Sequence, residues 1–261
     1  MGLMSRIRLL STDFDGTLIE HPSDGRCSPA FAEVLLRHTE AGGLWAVNTG
    51  RGLDHAIEGV KIFGAPVRPD FLLTNEREIF QLNAEGEWEA HEEWNIACYR
   101  RHDELFDSAA SVIDRVRALA DRSPHVTIIE EQDRAVGLVT TSEEAMHDVA
   151  AFLDAEASEF PDFSYQRNTI YLRFCHRDYH KGSSLGALCE HLEIDRTGVL
   201  AAGDHFNDIP MLDGRYAALA CCPSNAIIPV RETVLRAGGH IASRPAADGV
   251  AEAWHIFQSR E

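Results

Sequence analysis

Asp13-Phe14-Asp15-Gly16-Thr17-Leu18 directly follows the apolar segment Ile7–Thr12, which we predict to be a short buried strand. In parallel α/β sheets, ligands bind beyond the carboxyl ends of the strands. Asp13 and Asp15 are two positions apart, so an extended backbone directs both carboxylates to the same side. Because neighbouring carboxylates repel each other, this pair favours a cation between them or a proton on one of them.

Gly16 adds a second property to this motif. It permits a tight turn, and such a turn exposes backbone N–H groups to an anion. The simpler interpretation of the whole stretch is an Asx-type turn at a strand end. The motif on its own therefore indicates a cation and anion site without establishing one.

Predicted strands and helices alternate on both sides of this motif. Before residue 78 we predict a helix from Ser28-Pro29 to Gly42-Gly43, a strand at Leu44–Asn48, a helix at Leu53–Ile62 and a strand at Phe71–Thr74. After about Asp178 we predict a helix at Lys181–Leu192, strands at Val199–Ala202 and Tyr216–Ala220, and helices at Ala226–Ala237 and Gly249–Gln258. This alternation predicts an α/β fold with a Rossmann-like parallel sheet covered by helices.

The residues between these two parts have a different pattern. They begin with a predicted hairpin, Glu78–Leu82 and Glu87–His91, followed by a long helical stretch at about Ile96–Ala120. Further strands are predicted at Val126–Glu130, Ala135–Thr140, Phe163–Gln166 and Thr169–Phe174, with a helix from Ser142 to about Ala157. Hairpins with helices on one face predict a separate α+β unit, inserted at about 78–178.

Three further features lie where predicted strands end or helices begin. Thr49-Gly50 follows the second strand, and a hydroxyl and a glycine N–H there can hold phosphate oxygens. Lys181 begins a helix, where a cation opposes the helix dipole and so indicates a bound anion. Asp204 and Asp208 follow the apolar strand Val199–Ala202 and offer hard oxygen ligands that suit Mg²⁺. Taken singly, these are also ordinary turn, surface and helix-capping residues.

The amino-acid composition argues against several classes of function. The net charge is −18, from 24 basic and 42 acidic residues, and no basic patch indicates nucleic-acid binding. No apolar run approaches the roughly 20 residues that span a bilayer. The six cysteines form no C-x-x-C pair, which predicts reduced thiols in the cytoplasm. An acidic protein repels anionic substrates unless a cation or local donors intervene.

Other patterns are weaker. His176 and His180 have the spacing of a helical metal pair, but no third ligand is evident. Trp88 and Trp94 would either stack on a sugar or serve packing. The chain has no phosphate-binding P-loop, and no G-x-G-x-x-G follows the first strand, which argues against a dinucleotide site.

The four features together resemble the haloacid dehalogenase (HAD) superfamily, and most of all its Cof-type and sucrose-phosphatase-like phosphatases. Asp13–Leu18 and Gly203–Asp208 are the specific parts of this resemblance, and Asn225-Ala226 and Asp248-Gly249-Val250 resemble the C-terminal pattern of the family. The resemblance implies a HAD-like catalytic core formed by residues 1–77 and 179–261. It also implies that residues 78–178 form an α+β cap domain that closes over the site and supplies specificity.

The resemblance implies a role for each site residue. Asp13 would be the nucleophile that forms an aspartyl-phosphate. Asp15 would protonate the leaving oxygen and then deprotonate the attacking water. The implied Mg²⁺ ligands are Asp13, Asp15 through its backbone carbonyl, Asp204 and Asp208, the last of which ligates the metal or orients a metal-bound water. The implied phosphate-binding residues are Gly16, Thr49, Gly50, Lys181 and Asn207.

The chain departs from the Cof-type pattern after the third strand. Asn75-Glu76-Arg77 stands where those proteins usually have Asn-Gly. Arg77 would either bind a second anionic group of the substrate or form a surface salt bridge.

We therefore predict a Mg²⁺-dependent phosphatase that hydrolyses a small phosphorylated metabolite, with sugar phosphates as the leading class. Mg²⁺ and Lys181 would offset the acidic cluster and admit an anionic substrate, since phosphoryl transfer depends mainly on positioning and charge neutralisation. A phosphomutase and a non-catalytic phosphate-binding module remain the alternatives. We predict no nucleic-acid partner and no membrane partner, and the sequence does not indicate an oligomeric state.

Overall fold

The computed structural model describes residues 7–20, 25–131, 134–157 and 159–259. These residues form two compact units. The first unit extends to Asn95 and resumes at Lys181, and the second extends from Ile96 to His180. The first boundary lies beyond the predicted residue 77, because the hairpin that follows pairs with the sheet of the first unit.

The first unit is built on one large sheet. Its described strands are, from edge to edge, β12 (His240–Ile241), β11 (Leu219–Cys222), β10 (Val199–Ala202), β1 (Leu9–Thr12), β2 (Leu44–Asn48), β3 (Phe71–Thr74), β4 (Glu78–Leu82) and β5 (Trp88–Ala90). All neighbours from β12 to β3 are parallel, whereas β4 and β5 are antiparallel additions at one edge. The predicted α/β class with a parallel sheet is thus confirmed.

Helices cover both faces of this sheet. They are α1 (Pro29–Glu40), α2 (Leu53–Phe63), α6 (Lys181–His191), α7 (Ile209–Leu212), α8 (Ile228–Arg236) and α9 (Ala246–Ser259). Alternate residues of each strand enter separate cores: Leu10 packs into the core that contains α1 and α9, and Leu9 into the one that contains α6 and α8. A parallel strand buried on both faces needs apolar residues on both, which explains the continuous apolar runs.

The second unit has a four-stranded antiparallel sheet. Its strand order is β6 (Val126–Glu131), β7 (Arg134–Thr140), β9 (Tyr171–His176) and β8 (Phe163–Asn168). Its helices are α3 (Glu92–Ser108), from Ile96 onward, α4 (Ala110–Arg122) and α5 (Glu143–Ala157). Phe163, Phe174 and Leu138 from the strands form its core with Val112 of α4.

Several predicted elements differ from the observed ones. The helical stretch expected at Ile96–Ala120 is helical, but it is divided into two helices, α3 and α4, which meet at Ala109. The strand expected at Tyr216–Ala220 is β11 at Leu219–Cys222, because it pairs Cys221 with Ala202 and so continues to the end of β10. β12 was not predicted, because its two residues are too few to show the alternating pattern of a strand. Across the described segments, no helix is both long and apolar enough to cross a membrane.

His38 of α1 predicts a pH dependence of stability. Its side chain is fully buried, and Nε2 lies 2.9 Å from the carbonyl oxygen of Leu44. Burial lowers the pKa of His38 from its ordinary 6.5, against the opposing effects of this hydrogen bond and of Asp70. The unfolded chain therefore takes up a proton at a higher pH than the folded protein does. The stability contributed by a neutral His38 is complete above pH 6.5 and is lost as the pH falls through the lowered pKa.

Urea unfolding at about pH 7.5 and about pH 5.5 measures this contribution. We expect the free energy of unfolding to fall more steeply with decreasing pH in the wild type than in a His38→Gln variant, because glutamine does not titrate. Equal decreases in the two proteins would contradict the assignment.

Candidate active site

The carboxyl ends of four parallel strands bring the predicted site residues to one edge of the large sheet. Thr12 at the end of β1 lies beside Ala202 of β10 and Val47 of β2, and Asn48 of β2 lies beside Leu73 of β3. The residues that follow these four strand ends are Asp13, Thr49, Asn75 and Gly203. This edge is the one at which parallel α/β sheets bind ligands.

A buried acidic cluster lies at this edge. Asp13, Asp204 and Asp208 each offer a carboxylate oxygen, and these oxygens lie within 4.8 Å of one another. The ammonium group of Lys181 donates hydrogen bonds to Asp13 Oδ1 at 2.6 Å and to Asp208 Oδ1 at 2.7 Å. Lys181 has no solvent exposure. A lysine this buried is retained only with charged partners.

The charges of the cluster are not balanced by Lys181 alone. Burial, and then the charge of Asp208, raises the pKa of Asp204 to about 7. Burial and Asp208 likewise raise the pKa of Asp13 well above its ordinary value. For Lys181, burial would lower the pKa, but Asp13 and Asp208 outweigh it and raise the pKa. Three buried carboxylates facing one ammonium group are an arrangement that a further cation relieves.

Gly16 and Thr17 hold Asp204 in place. The Thr17 hydroxyl donates a hydrogen bond of 2.8 Å to Asp204 Oδ1. Gly16 has a φ of +87°, and a Cβ at this position would lie 2.3 Å from Asp204 Oδ2. The glycine is required here both by its backbone conformation and by the space that Asp204 occupies.

Asp208 also organises the loop after β10. Its Oδ2 accepts hydrogen bonds from the backbone N–H of Asp204 at 2.8 Å and of His205 at 2.9 Å, within a capping box of the short 3₁₀ turn Phe206–Asp208. The capping role and the role as partner of Lys181 therefore coexist in one side chain. A Cβ on Gly203 would lie 2.4 Å from the Asp208 Cβ, so a glycine lets the loop close.

The Asp15 carboxylate is not part of the acidic cluster. Arg51 donates two hydrogen bonds to it, from Nε to Oδ2 at 2.8 Å and from Nη2 to Oδ1 at 2.6 Å. The Arg51 guanidinium also lies over the Phe14 ring, 4.7 Å from its centroid. The Asp13, Asp204 and Asp208 carboxylates thus lie together, whereas the Asp15 carboxylate is paired with Arg51, whose bidentate geometry suits a carboxylate.

Thr49 and Gly50 lie in the loop that follows β2. Thr49 is buried, and its hydroxyl oxygen accepts a hydrogen bond of 3.2 Å from the Arg51 backbone N–H. Asn48, to which sequence reasoning gave no role, donates from Nδ2 to the Lys181 carbonyl oxygen at 2.9 Å. It thereby fixes the start of α6, which carries Lys181.

Asn207 contacts a residue that sequence reasoning did not include in the site. Its Nδ2 donates a hydrogen bond of 2.7 Å to Glu76 Oε1. Glu76 is 7% exposed and has a φ of +66°. Glu76 could have been identified from the sequence alone, because it stands where the resembled family has a glycine.

Two other candidate residues, Asn225 and Trp94, form side-chain hydrogen bonds to backbone groups. The Asn225 side chain joins the loop after β1 to the start of α9, because Nδ2 donates to the Gly16 carbonyl oxygen at 2.7 Å and Oδ1 accepts from the Ala246 N–H at 2.9 Å. Trp94 Nε1 donates to the Arg77 carbonyl oxygen at 2.6 Å. Among the described residues, no group of three potential metal ligands includes His176.

The residues of the cluster fit a hard divalent cation. Asp13, Asp204 and Asp208 supply oxygen ligands alone, which is the donor set that Mg²⁺ prefers. They are buried, so their repulsion is poorly screened by water.

The fold and this edge of the sheet define a parallel α/β protein with a buried acidic cluster and a buried lysine. The family model of haloacid dehalogenase-like hydrolases matches residues 79–253, more than half of the chain. The chain therefore belongs to the haloacid dehalogenase-like hydrolases. The matched residues include Lys181, Asp204 and Asp208 but not the segment with Asp13, whose place in the site comes from its contacts.

Solved structures share the fold over almost the whole chain. Sucrose phosphatase from Synechocystis sp. PCC6803, in complex with sucrose and phosphate, has a TM-score of 0.70 at 19% identity, covering 97% of this chain and 98% of that one. A HAD/COF-like hydrolase from Plasmodium vivax has a TM-score of 0.67 at 16% identity, covering 98% and 97%.

A curated relative matches a short stretch. Glucosylglycerol-phosphate synthase from Pseudomonas anguilliseptica is 50% identical over 46 residues, which are 18% of this chain and 6% of that protein.

Proposed function

We propose that this chain is a Mg²⁺-dependent phosphatase that hydrolyses a small phosphomonoester through an aspartyl-phosphate on Asp13. The proposal is carried by one observation: Asp13 follows the central strand β1, lies with Asp204 and Asp208 in one buried cluster, and accepts a hydrogen bond of 2.6 Å from Lys181. Asp13, Asp204 and Asp208 would hold Mg²⁺ together with the backbone carbonyl of Asp15. When bound, Mg²⁺ supplies charge neutralisation at the transferring phosphoryl group.

The protein groups would act in two steps. In the first, an Asp13 carboxylate oxygen bonds to phosphorus while the ester oxygen leaves with a proton from Asp15. In the second, water attacks the aspartyl-phosphate, Asp15 takes the proton of that water, and the Asp13 carboxylate is restored with release of phosphate. Lys181 and the Thr49–Gly50 loop would bind the phosphoryl oxygens. Arg51 would hold the Asp15 carboxylate in place through its two hydrogen bonds.

Sugar phosphates are the substrate class that we propose. The support is indirect: sucrose phosphatase shares the fold and was solved with sucrose and phosphate, and the short curated match is to a synthase of a phosphorylated glucosyl compound. We propose the cytoplasm as the compartment, in keeping with six free thiols, five of them buried.

Incubation with a panel of sugar phosphates and other phosphomonoesters tests the proposed reaction. We expect Mg²⁺-dependent release of inorganic phosphate that stops on addition of EDTA and returns with excess Mg²⁺, because the acidic cluster repels an anionic substrate without a cation. Calorimetry would follow Mg²⁺ binding separately from activity.

The panel also separates the alternatives. An isomerised sugar phosphate without free phosphate would identify a phosphomutase, and binding without either product would identify a non-catalytic module. Phosphate release that is unaffected by EDTA would contradict the proposed metal dependence.

A further inference from the structure

Glu76 is a buried acidic residue in a strained segment that the proposed mechanism does not use. Asn75 and Glu76 have φ values of +49° and +66°, in the left-handed region that asparagine adopts readily but glutamate rarely does. A residue held in such a conformation persists where the surrounding structure over-determines it, and such residues cluster at functional sites. The backbone here is held by two hydrogen bonds to the loop after β2, from Asn75 N–H to the Arg51 carbonyl oxygen at 2.9 Å and from Glu76 N–H to the Thr49 carbonyl oxygen at 3.0 Å.

This backbone places the Glu76 carboxylate against the Thr49–Gly50 loop. A Cβ on Gly50 would lie 3.3 Å from Glu76 Oε1, and the same oxygen accepts the 2.7 Å hydrogen bond from Asn207 Nδ2. Glu76 thus bridges the loop after β2 and the loop after β10. Its negative charge is also among those that raise the pKa of Lys181, after Asp13 and Asp208.

The Glu76 contact fixes the orientation of the Asn207 amide. An ionised carboxylate only accepts hydrogen bonds, so the donor end of the amide faces Glu76. Asn207 is 4% exposed, and its Oδ1 is buried with no hydrogen-bond partner among the described residues. The amide nitrogen carries two hydrogens and Glu76 takes one of them, so at most one N–H of Asn207 remains for a phosphate oxygen. Full use of the amide by phosphate therefore requires that the first N–H be released from Glu76.

We infer that Glu76 is a positioning residue that competes with phosphate for one N–H of the Asn207 amide and so weakens the affinity of the site for inorganic phosphate. This inference rests on the proposed function, since phosphate is the product of that reaction. A glycine at position 76 offers neither the charge nor the acceptor. The glutamate thereby favours release of the product.

The test is a double-mutant cycle on phosphate affinity, measured by calorimetry in the presence of saturating Mg²⁺ and by product inhibition. We expect Glu76→Gly to lower the Kd for inorganic phosphate by about 10-fold, the size of one hydrogen bond to a charged group. The variant should fold, because glycine removes the positive-φ strain. In an Asn207→Ala background, the same substitution should change the Kd by less than about 2-fold, because the competing amide is absent.

Two further variants separate hydrogen bonding from charge. Glu76→Gln keeps an acceptor for Asn207 and removes the charge, so we expect a much smaller effect than that of Glu76→Gly. Glu78→Gln is the matched control: Glu78 is also buried, but its carboxylate accepts from Thr74 and Asn75. It should leave phosphate affinity unchanged.

The other possible results of these binding experiments either overturn or support the inference. Equal effects of Glu76→Gly with and without Asn207 would overturn the inference in favour of simple charge repulsion. Failure of every variant to bind phosphate would overturn it as well. Phosphate binding with the expected cycle, but without hydrolysis of any ester, would support the inference and contradict only the proposed reaction.

Discussion

Replacing Asp13 with asparagine is expected to lower the turnover of phosphomonoesters by about 10⁴-fold or more, the range seen when a covalent nucleophile is removed. Asparagine keeps the shape of the side chain and an oxygen that can accept from Lys181. Its neutral amide, unlike the carboxylate, does not attack phosphorus to form an acyl phosphate. The substitution also removes one of three crowded negative charges. We therefore expect the midpoint of thermal unfolding to stay level or to rise.

Exposed Asp114 of α4 provides the matched control, because Asp114→Asn makes the same chemical change in the other unit. It should leave both turnover and stability unchanged. Near-normal turnover by Asp13→Asn would refute the nucleophile assignment, whatever the behaviour of the control. Trapping of phosphate on the wild-type protein during turnover, and its absence in the variant, would identify the intermediate.

Replacing Lys181 with methionine is expected to have the largest effect on stability. Methionine matches the length of the side chain but leaves Asp13 and Asp208 without their shared buried cation. Breaking a buried ion pair by removing one partner typically costs about 3–5 kcal/mol, because the remaining charge is uncompensated. Turnover should be lost as well, since the transferring phosphoryl group loses a direct donor. Urea unfolding and steady-state kinetics measure the two effects.

The chain contains a second lysine, Lys61, and no others. Lys61 is exposed on α2, so Lys61→Met is a natural control and should change the free energy of unfolding by no more than about 0.5 kcal/mol. A Lys181→Met variant as stable as this control would mean that Asp13 and Asp208 do not depend on the ammonium group for their charge balance.

The convergence of the candidate site residues at one edge of the sheet was predictable, because the sequence shows where the apolar strands end. Runs of buried apolar residues mark β1, β2, β3 and β10, and polar residues follow each run. Parallel pairing then brings those residues to one edge without further information. The pairing of Lys181 with Asp13 and Asp208 was predictable for a different reason, because a buried acidic cluster requires a cation.

The choice of partners within the site was not predictable from spacing. Asp13 and Asp15 belong to one short motif, yet Asp15 pairs with Arg51, whose guanidinium also lies over the Phe14 ring. Glu76 reaches Asn207 only because its backbone adopts a positive φ, which the residue type disfavours. Such choices depend on packing over distances of a few ångströms that no periodicity records.

The break between α3 and α4 was likewise not predictable from the sequence pattern. It falls at Ala109, between Ser108 and Ala110, where no glycine or proline interrupts the helical pattern. Ala109 has no solvent exposure. Tertiary packing of the second unit thus overrides a local preference that is helical throughout.

The order of strands in the large sheet has a consequence for how the protein is made. β1 leaves the ribosome first among the strands, yet one of its two neighbours is β10, whose Val199 pairs with Leu9. At 5–20 residues per second, roughly 10–40 s pass before that neighbour exists. Throughout this interval the nascent chain carries an apolar strand with one unpaired side, which is the feature that chaperones bind and that seeds aggregation.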